Sequence, residues 1–310
     1  MTTIHIDSGH DDSRRREGLF KGNLYVYSAC EATRTFVAHA RAMIEEAFGA
    51  LDPETAQYSM PVEDYAVLLG KLKPAFIHHP ESARLLQGVL EQFGADLPET
   101  WFEVPKMRSS TSDGYLTAGI AYAWHPHRDT WYSAPDCQIN WWMPIFAIEE
   151  TNTMAFHPQY WNRALKNTSS GYNYYRWNME HRGTHVTQHV NEDPRPLPRA
   201  SETFEEAADV RVVCPPGGLV LFAGAQMHSS VENTSGKTRF SVDFRTAHAD
   251  DLRAGAGAPN VDSECTGTCL REFRRASDLA SMPDELVAPY EDGTENLGDA
   301  VYKSEGRKPS

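Results

Sequence analysis

Over the first hundred residues, apolar side chains recur every three or four positions, the period of a helix face. Phe36, Val37, Ala40, Ile44, Ala47 and Phe48 form one such stripe, and Ser28-Ala-Cys-Glu31 ahead of it has the form of a capping box. A second helix is predicted to start near Pro61, with Tyr65, Leu68, Leu69 and Leu72 facing the core. A third starts near Pro80, carries Leu85, Leu86, Val89, Leu90 and Phe93, and stops at Gly94. These helices are expected to buttress a sheet rather than to do chemistry.

From about Trp101 the pattern changes to short strands. Trp101–Lys106, Tyr115–Trp124, Gln138–Pro144, Val210–Val213, Leu219–Phe222, Met227–Val231 and Thr238–Thr246 are the predicted members. Pro215-Pro216-Gly217-Gly218 is a strong turn signal, and Glu232–Lys237 reads as a hairpin turn. Many short strands with tight turns predict a sandwich or jelly roll. Between them, Gln159–Ser201 has little periodicity but many aromatic and basic residues, among them Tyr160, Trp161, Tyr172, Tyr174, Trp177, Arg176 and Arg182. A loop of that length in a compact domain is functional or disordered, and its aromatics argue against disorder. It is the candidate substrate lid.

At 310 residues the chain suits one elaborated domain: a helical buttress over 1–98, a β core over 99–250 with the lid inserted at 159–201, and a polar tail over 290–310 that frays. The net charge of −14 argues against a nucleic-acid partner, whose phosphates need a basic surface. No stretch approaches the ~20 apolar residues of a membrane helix, and the polar start has no apolar signal core. The expected location is therefore the cytoplasm. Five scattered cysteines are an odd number and make no disulfide framework. Cys265 and Cys269 lack the further soft ligands that a metal site would need.

The candidate chemistry lies in three places. His127 and Asp129 are two apart, which on an extended strand puts both side chains on one face. His228 lies at the start of a later strand that can pair nearby in a closed β fold. Two imidazoles and a carboxylate can hold a non-haem Fe(II) on one face and leave the opposite face open. An HxD pair alone is weak among 13 histidines, so its companions matter. His125, the rival ligand, is read as substrate-facing or plainly structural. Eleven residues after His228, Arg239, Ser241, Asp243 and Arg245 alternate with Phe240, Val242 and Phe244. The polar face of that strand either meets solvent or lines the barrel. In the second case Arg239 can grip the far carboxylate of a keto acid with two parallel hydrogen bonds and Ser241 can donate a third. Arg245 then neutralises Asp243, reaches the cosubstrate's other carboxylate, or meets an anionic substrate. On the strand Gln138–Pro144, Gln138, Asn140 and Trp142 share a face. Asn140 or Gln138 donates to the cosubstrate or makes a strand-end hydrogen bond elsewhere.

At these positions the chain resembles the Fe(II)/2-oxoglutarate dioxygenase superfamily, and most of all its phytanoyl-CoA dioxygenase-like branch. Three stretches within Trp101–Thr246 carry the likeness. Trp124-His-Pro-His127-Arg-Asp129-Thr-Trp131 is similar to the branch's Trp-His-x-Asp segment, with two residues interposed after Trp124. Ile139-Asn-Trp-Trp-Met-Pro followed by Glu149-Glu-Thr-Asn152-Thr-Met-Ala-Phe-His157-Pro158 is looser, with Thr153 where Gly is usual. Gly217-Gly-Leu-Val-Leu-Phe, Met227-His228-Ser and Arg239 match in spacing. The resemblance implies a mainly β fold with flanking helices around a double-stranded β-helix, a cupin-like jelly-roll core. It implies His127, Asp129 and His228 as iron ligands, and Arg239 with Ser241 on the C5 carboxylate of 2-oxoglutarate. Fe(II), 2-oxoglutarate and O2 would be the cofactor set, with succinate and CO2 released. Hydroxylation is the default outcome, and desaturation or cyclisation need only a different fate for the substrate radical. Chlorination is disfavoured because Asp129 fills the halide's position. An anionic, carboxylate-bearing small molecule suits the basic residues of the lid, with Arg245, Arg176, Trp142 and His125 as candidate contacts. The competing readings are a cupin-like metal enzyme without a keto acid and a non-catalytic jelly-roll binding protein.

Overall fold

In the computed structural model, residues 2–117, 125–181, 196–205 and 208–294 are described. The chain is mainly sheet with flanking helices, as the sequence predicts. The helices α1 (Asp12–Phe20), α2 (Glu31–Phe48), α3 (Val62–Ile77) and α4 (Pro80–Gln92) come first, with strands β1 (Ile4–Ile6) and β2 (Leu24–Tyr27) around α1. Strands β3 (Thr100–Phe102), β4 (Lys106–Ser110), β5 (Ile139–Pro144), β6 (Met154–Phe156), β7 (Val210–Val212), β8 (Leu219–Ala223), β9 (His228–Ser230), β10 (Arg239–His248) and β11 (Arg274–Arg275) follow. Helix α5 (Tyr174–His181) lies in the candidate lid and α6 (Ala249–Ala254) follows β10.

Two sheets result. The larger runs β1-β2-β8-β5-β10-β3-β11, with β4 also paired to β10, and the smaller runs β7-β6-β9. The isolated bridge His127↔His228 extends the smaller sheet beyond β9. The register of β10 decides which way its polar face points. Ser241 lies opposite Arg108 and Pro144, Asp243 opposite Lys106 and Trp142, and Arg245 opposite Asn140. Directly opposed residues share a face, so these side chains form one surface, which faces a cavity. Phe240, Val242 and Phe244 point the other way and are fully buried against α2, α3 and α4 in the main apolar core. The polar face thus lines the interior, the second of the two alternatives that the sequence left open.

Several predicted elements differ in detail. Glu31 starts α2, but Ser28 does not cap it: its amide and hydroxyl both bond to the Asp7 carboxylate. The Cys30 amide instead donates to Thr33 Oγ1 at 3.0 Å, so the reciprocal cap is shifted by two residues. The predicted strand Trp101–Lys106 splits into β3 and β4, because the chain turns inward at the buried Glu103. Strand β4, Lys-Met-Arg-Ser-Ser, is polar on its cavity face and gives little apolar signal. Glu232–Lys237 does not close a hairpin but carries the chain from the small sheet (β9) to the large one (β10). Tyr115–Thr117 is not strand, and the rest of that predicted element lies outside the described residues. All five cysteines are free. No helix among the described residues is long and apolar enough to cross a membrane.

Phe244 stacks on Trp141 with ring centroids 5.4 Å apart and is wholly buried. Truncating it removes a large apolar surface and leaves a cavity between sheet and helices. Phe244→Ala is expected to cost about 3–5 kcal/mol, read as a lowered urea midpoint. A loss below about 1 kcal/mol would contradict this packing.

Candidate metal centre

His127, Asp129 and His228 converge. Each is buried, and one ligand atom from each lies within 4.8 Å of the others. The local reason differs from a simple strand face. His127 is held by the bridge to His228, through reciprocal backbone hydrogen bonds of 3.0 Å. Arg128 is extended, and Asp129 opens a 3-10 turn over Asp129–Tyr132. One extended residue between the two ligands suffices to put both side chains on the same side, with Arg128 on the other.

The imidazoles are fixed by carbonyls. His127 Nδ1 lies 2.8 Å from the His125 carbonyl oxygen, and His228 Nδ1 lies 2.8 Å from that of Gln226. A carbonyl can only accept, so each Nδ1 carries its proton and each Nε2 keeps a lone pair for a metal. Those Nε2 atoms lie 3.5 and 3.9 Å from Asp129 Oδ1. Burial, reinforced by the neighbouring His127, pushes His228 down to about 3, so its ring is neutral at pH 7.

The carboxylate is divided between two tasks. Oδ1 faces the imidazoles. Oδ2 accepts from Gln138 Nε2 at 2.9 Å and from Asn140 Nδ2 at 2.7 Å, and Arg245 Nε lies 3.5 Å away. Burial alone would raise the Asp129 carboxyl, but Arg245 and the imidazoles hold it well below the usual carboxylate range. Gly224 packs close by: a Cβ there would sit 3.3 Å from Gln138 Nε2 and 3.5 Å from the Asp129 Cβ. The amides of Gln138 and Asn140 thus sit on the metal carboxylate.

The triad opens into a cavity of ≈ 450 Å³. Arg239 lines it. Its Nη1 donates to the Asn152 and Thr153 carbonyls at 3.0 and 3.1 Å, and its guanidinium lies 5.8 Å from the Trp142 ring centroid. Among the described residues no carboxylate pairs with it within 4.0 Å, and its Nε is buried without a hydrogen-bond partner. Burial pushes this guanidinium down to about 10. The Ser241 hydroxyl, two residues along the same strand face, is likewise buried without a partner. These buried donors are of the kind that suits an anion.

Arg245 takes a different part. It pairs with Glu103 (3.1 Å), Asp243 (3.2 Å) and Asp129, and these three carboxylates outweigh burial and raise its pKa. Neutralising Asp243 was one of its three expected roles. Trp142 lines the cavity, as do Tyr132, Tyr172, Tyr174 and Trp177 from the lid side. Arg176 is exposed and does not reach the cavity, although the next residue does. His125 is exposed, does not line the cavity, and contributes its carbonyl to His127. Arg182 and Trp124 lie outside the described residues. The sequence reading missed Lys73, Glu103, Lys106, Arg108 and Cys269, all in the cavity wall. For Lys106 and Arg108 the alternation of β4 was the available signal.

No family model matches the chain, and no curated protein does either. Among solved structures, it is similar to EvdO2 from Micromonospora carbonacea var. aurantiaca complexed with 2-oxoglutarate, at 14% identity and TM-score 0.45, over 78% of this chain and 92% of that one. It is similar to the non-haem α-ketoglutarate-dependent epimerase SnoN from nogalamycin biosynthesis at 15% identity and TM-score 0.37, over 77% and 85% of the two chains. The non-haem monooxygenase ThoJ shares 15% identity at TM-score 0.34, over 70% of each chain. The side chains around the cavity, not these overlaps, carry the functional reading.

One buried histidine outside the triad has a measurable consequence. His157 Nε2 meets Ser229 Oγ at 3.1 Å, and its Nδ1 is buried without a hydrogen-bond partner. Burial pushes it from 6.5 down to about 4. The unfolded chain therefore takes up a proton below pH 6.5 that the native ring refuses until about pH 4, and stability falls as pH drops through that window. The unfolding midpoint of the wild type is expected to fall more steeply across it than that of His157→Gln. Parallel profiles would mean that the ring is not held neutral.

Proposed function

We propose that this protein is an Fe(II)- and 2-oxoglutarate-dependent oxygenase built on a double-stranded β-helix. The observation that carries the reading is that the His127–Asp129–His228 face and Arg239 line the same cavity, with the Arg239 Nε and, two residues along the same strand face, the Ser241 hydroxyl both buried without a partner. The two strand orders support the core assignment: β4-β10-β5-β8 in one sheet, and the His127 bridge with β9-β6-β7 in the other. A cupin-like enzyme without a keto acid would leave the buried Arg239 with no dianion to meet, and a binding module would have no need of the triad.

The donor set fits the ion: two imidazole Nε2 atoms and one carboxylate oxygen on one face, with the cavity on the open side. When bound, iron and 2-oxoglutarate supply O2-driven C–H oxidation with release of succinate and CO2, hydroxylation being the default. The chain's own residues do the rest. His127 and His228 present Nε2 because backbone carbonyls hold Nδ1. Gln138, Asn140 and Arg245 occupy Asp129 Oδ2 and so leave Oδ1 for the metal. Arg239 anchors the cosubstrate's distal carboxylate with Ser241, and the aromatic lid residues keep water away from the reacting carbon.

Charge favours a carboxylate-bearing substrate. The cavity wall carries the bases Lys73, Lys106, Arg108, Arg239 and Arg245 against the acids Glu103, Asp129 and Asp243. A divalent metal and a dianionic cosubstrate cancel each other and leave that positive excess in place. Lys73 is the softest of the five, since burial and then Arg108 push it down to about 7.

Anaerobic addition of Fe(II) and then 2-oxoglutarate is expected to produce the visible charge-transfer band of the chelate, and its absence would sink the assignment. Arg239→Ala should raise the 2-oxoglutarate concentration needed for that band about 10- to 100-fold, the worth of a charge-assisted pair, while Fe(II) still binds. An unchanged requirement would remove Arg239 from the clamp. In a screen read by succinate release, carboxylates should outrank their neutral amides, and the reverse order would refute the charge argument.

A further inference from the structure

The residue between the two nearest metal ligands is as buried as they are, and the reaction does not use it. The Arg128 side chain is 1% exposed. Its Nε donates to Asp262 Oδ2 at 3.2 Å, its Nη1 to the Ala225 carbonyl at 2.5 Å, and its Nη2 to the carbonyls of Tyr160 and of Arg163, the latter at 3.1 Å. Ala225 belongs to the turn that leads to His228. In that turn the Gly224 carbonyl accepts from the Asp129 amide at 2.8 Å, and the Gln226 carbonyl orients the His228 ring. One guanidinium therefore ties the His127–Asp129 segment to the turn that presents the third ligand.

Its partner reaches further. Asp262 is 3% exposed at its side chain. Oδ1 accepts from Trp131 Nε1 at 2.7 Å and Oδ2 from the Leu165 amide at 3.0 Å, while its carbonyl accepts from Asn167 Nδ2 at 2.7 Å. Trp131 stands two residues past Asp129. Leu165 and Asn167 lie near the start of the candidate lid, and Asp262 itself lies in the loop after α6, whose later residue Cys269 lines the cavity. A single carboxylate thus joins the metal segment, the base of the lid and the C-terminal loop. Breaking a buried pair strands an uncompensated charge, here against the backbone of two ligands.

We propose that Asp262 and Arg128 are positioning residues that couple assembly of the metal centre to the order of the lid base and the 260–268 loop. Metal affinity then depends on a carboxylate that touches neither metal nor substrate. By reciprocity, metal binding tightens the loop. The inference rests on the triad being a metal site.

The test uses full-length protein and Co(II) as the probe. Asp262→Asn keeps the shape and one oxygen acceptor, enough for Trp131 Nε1 or the Leu165 amide but not both, and removes the charge opposite Arg128. Wild type is expected to bind Co(II) stoichiometrically, and the variant about tenfold more weakly or worse. If the variant melts earlier yet its folded fraction binds Co(II) with wild-type affinity, the pair is merely structural and the coupling is overturned. Hydrogen exchange on the wild type gives a readout that needs no variant: protection over 260–268 should rise when Co(II) is added, and unchanged protection there would overturn the coupling as well. Failure of the wild type to bind Co(II) at all would instead overturn the triad reading, and this inference with it.

Discussion

The molecule is organised around the need to compensate charge on the inner face of one strand. Arg239, Asp243 and Arg245 of β10 are turned into a cavity, away from bulk water, and each must find an opposite charge or a set of dipoles. Arg245 does so by standing among Glu103, Asp129 and Asp243, and Arg108 closes on Asp243 at 2.7 Å. Arg239 has only carbonyls and a hydroxyl among the described residues. Of the three charged side chains, Arg239 is therefore the one that pairs with no carboxylate among the described residues, and on the proposed reading an incoming anion would supply that charge. The same strand's other face, Phe240, Val242 and Phe244, anchors the sheet to the helices, so the register that builds the core also sets the electrostatics of the cavity.

The candidate metal centre shows a similar economy. Backbone carbonyls, not side chains, choose the tautomers of His127 and His228, which makes the ligand geometry a property of the fold. Asp129 is the exception. Its outer oxygen is fixed by Asn140 of β5, Arg245 of the neighbouring β10, and Gln138, which stands just before β5. The ligand carried by the small-sheet side is thus aimed by the large sheet, and the centre sits where the two meet.

Much of this could be read from the sequence, for identifiable reasons. The helices α2 to α4 announce themselves by period and by Pro and Gly punctuation. Strand β10 announces itself by strict alternation, although alternation cannot say which face is wet. That was decided by β4, whose polar cavity face made it nearly invisible as a strand. His127, Asp129 and His228 were legible because residue type and spacing carry the chemistry directly. The partners of Asp129 were not: Gln138 and Asn140 stood out as amides on one face, but whether they served a ligand or a cosubstrate depended on where a 3-10 turn placed a carboxylate. Asp262 gave no signal at all, since its partners are 95 to 134 residues away. Arg176 misled because a basic residue on an acidic chain draws attention, while helical rotation sends it outward and its neighbour Trp177 inward.

The bridge between His127 and His228 consists of two backbone hydrogen bonds. It is also what brings two ligands together across most of the β core. During synthesis, His127 and Asp129 precede His228 by about a hundred residues, and the three side chains come together only when the small sheet closes on β9. On the proposed reading, iron would therefore meet a chain in which the small sheet has already closed, and loading would follow that closure rather than nucleate it.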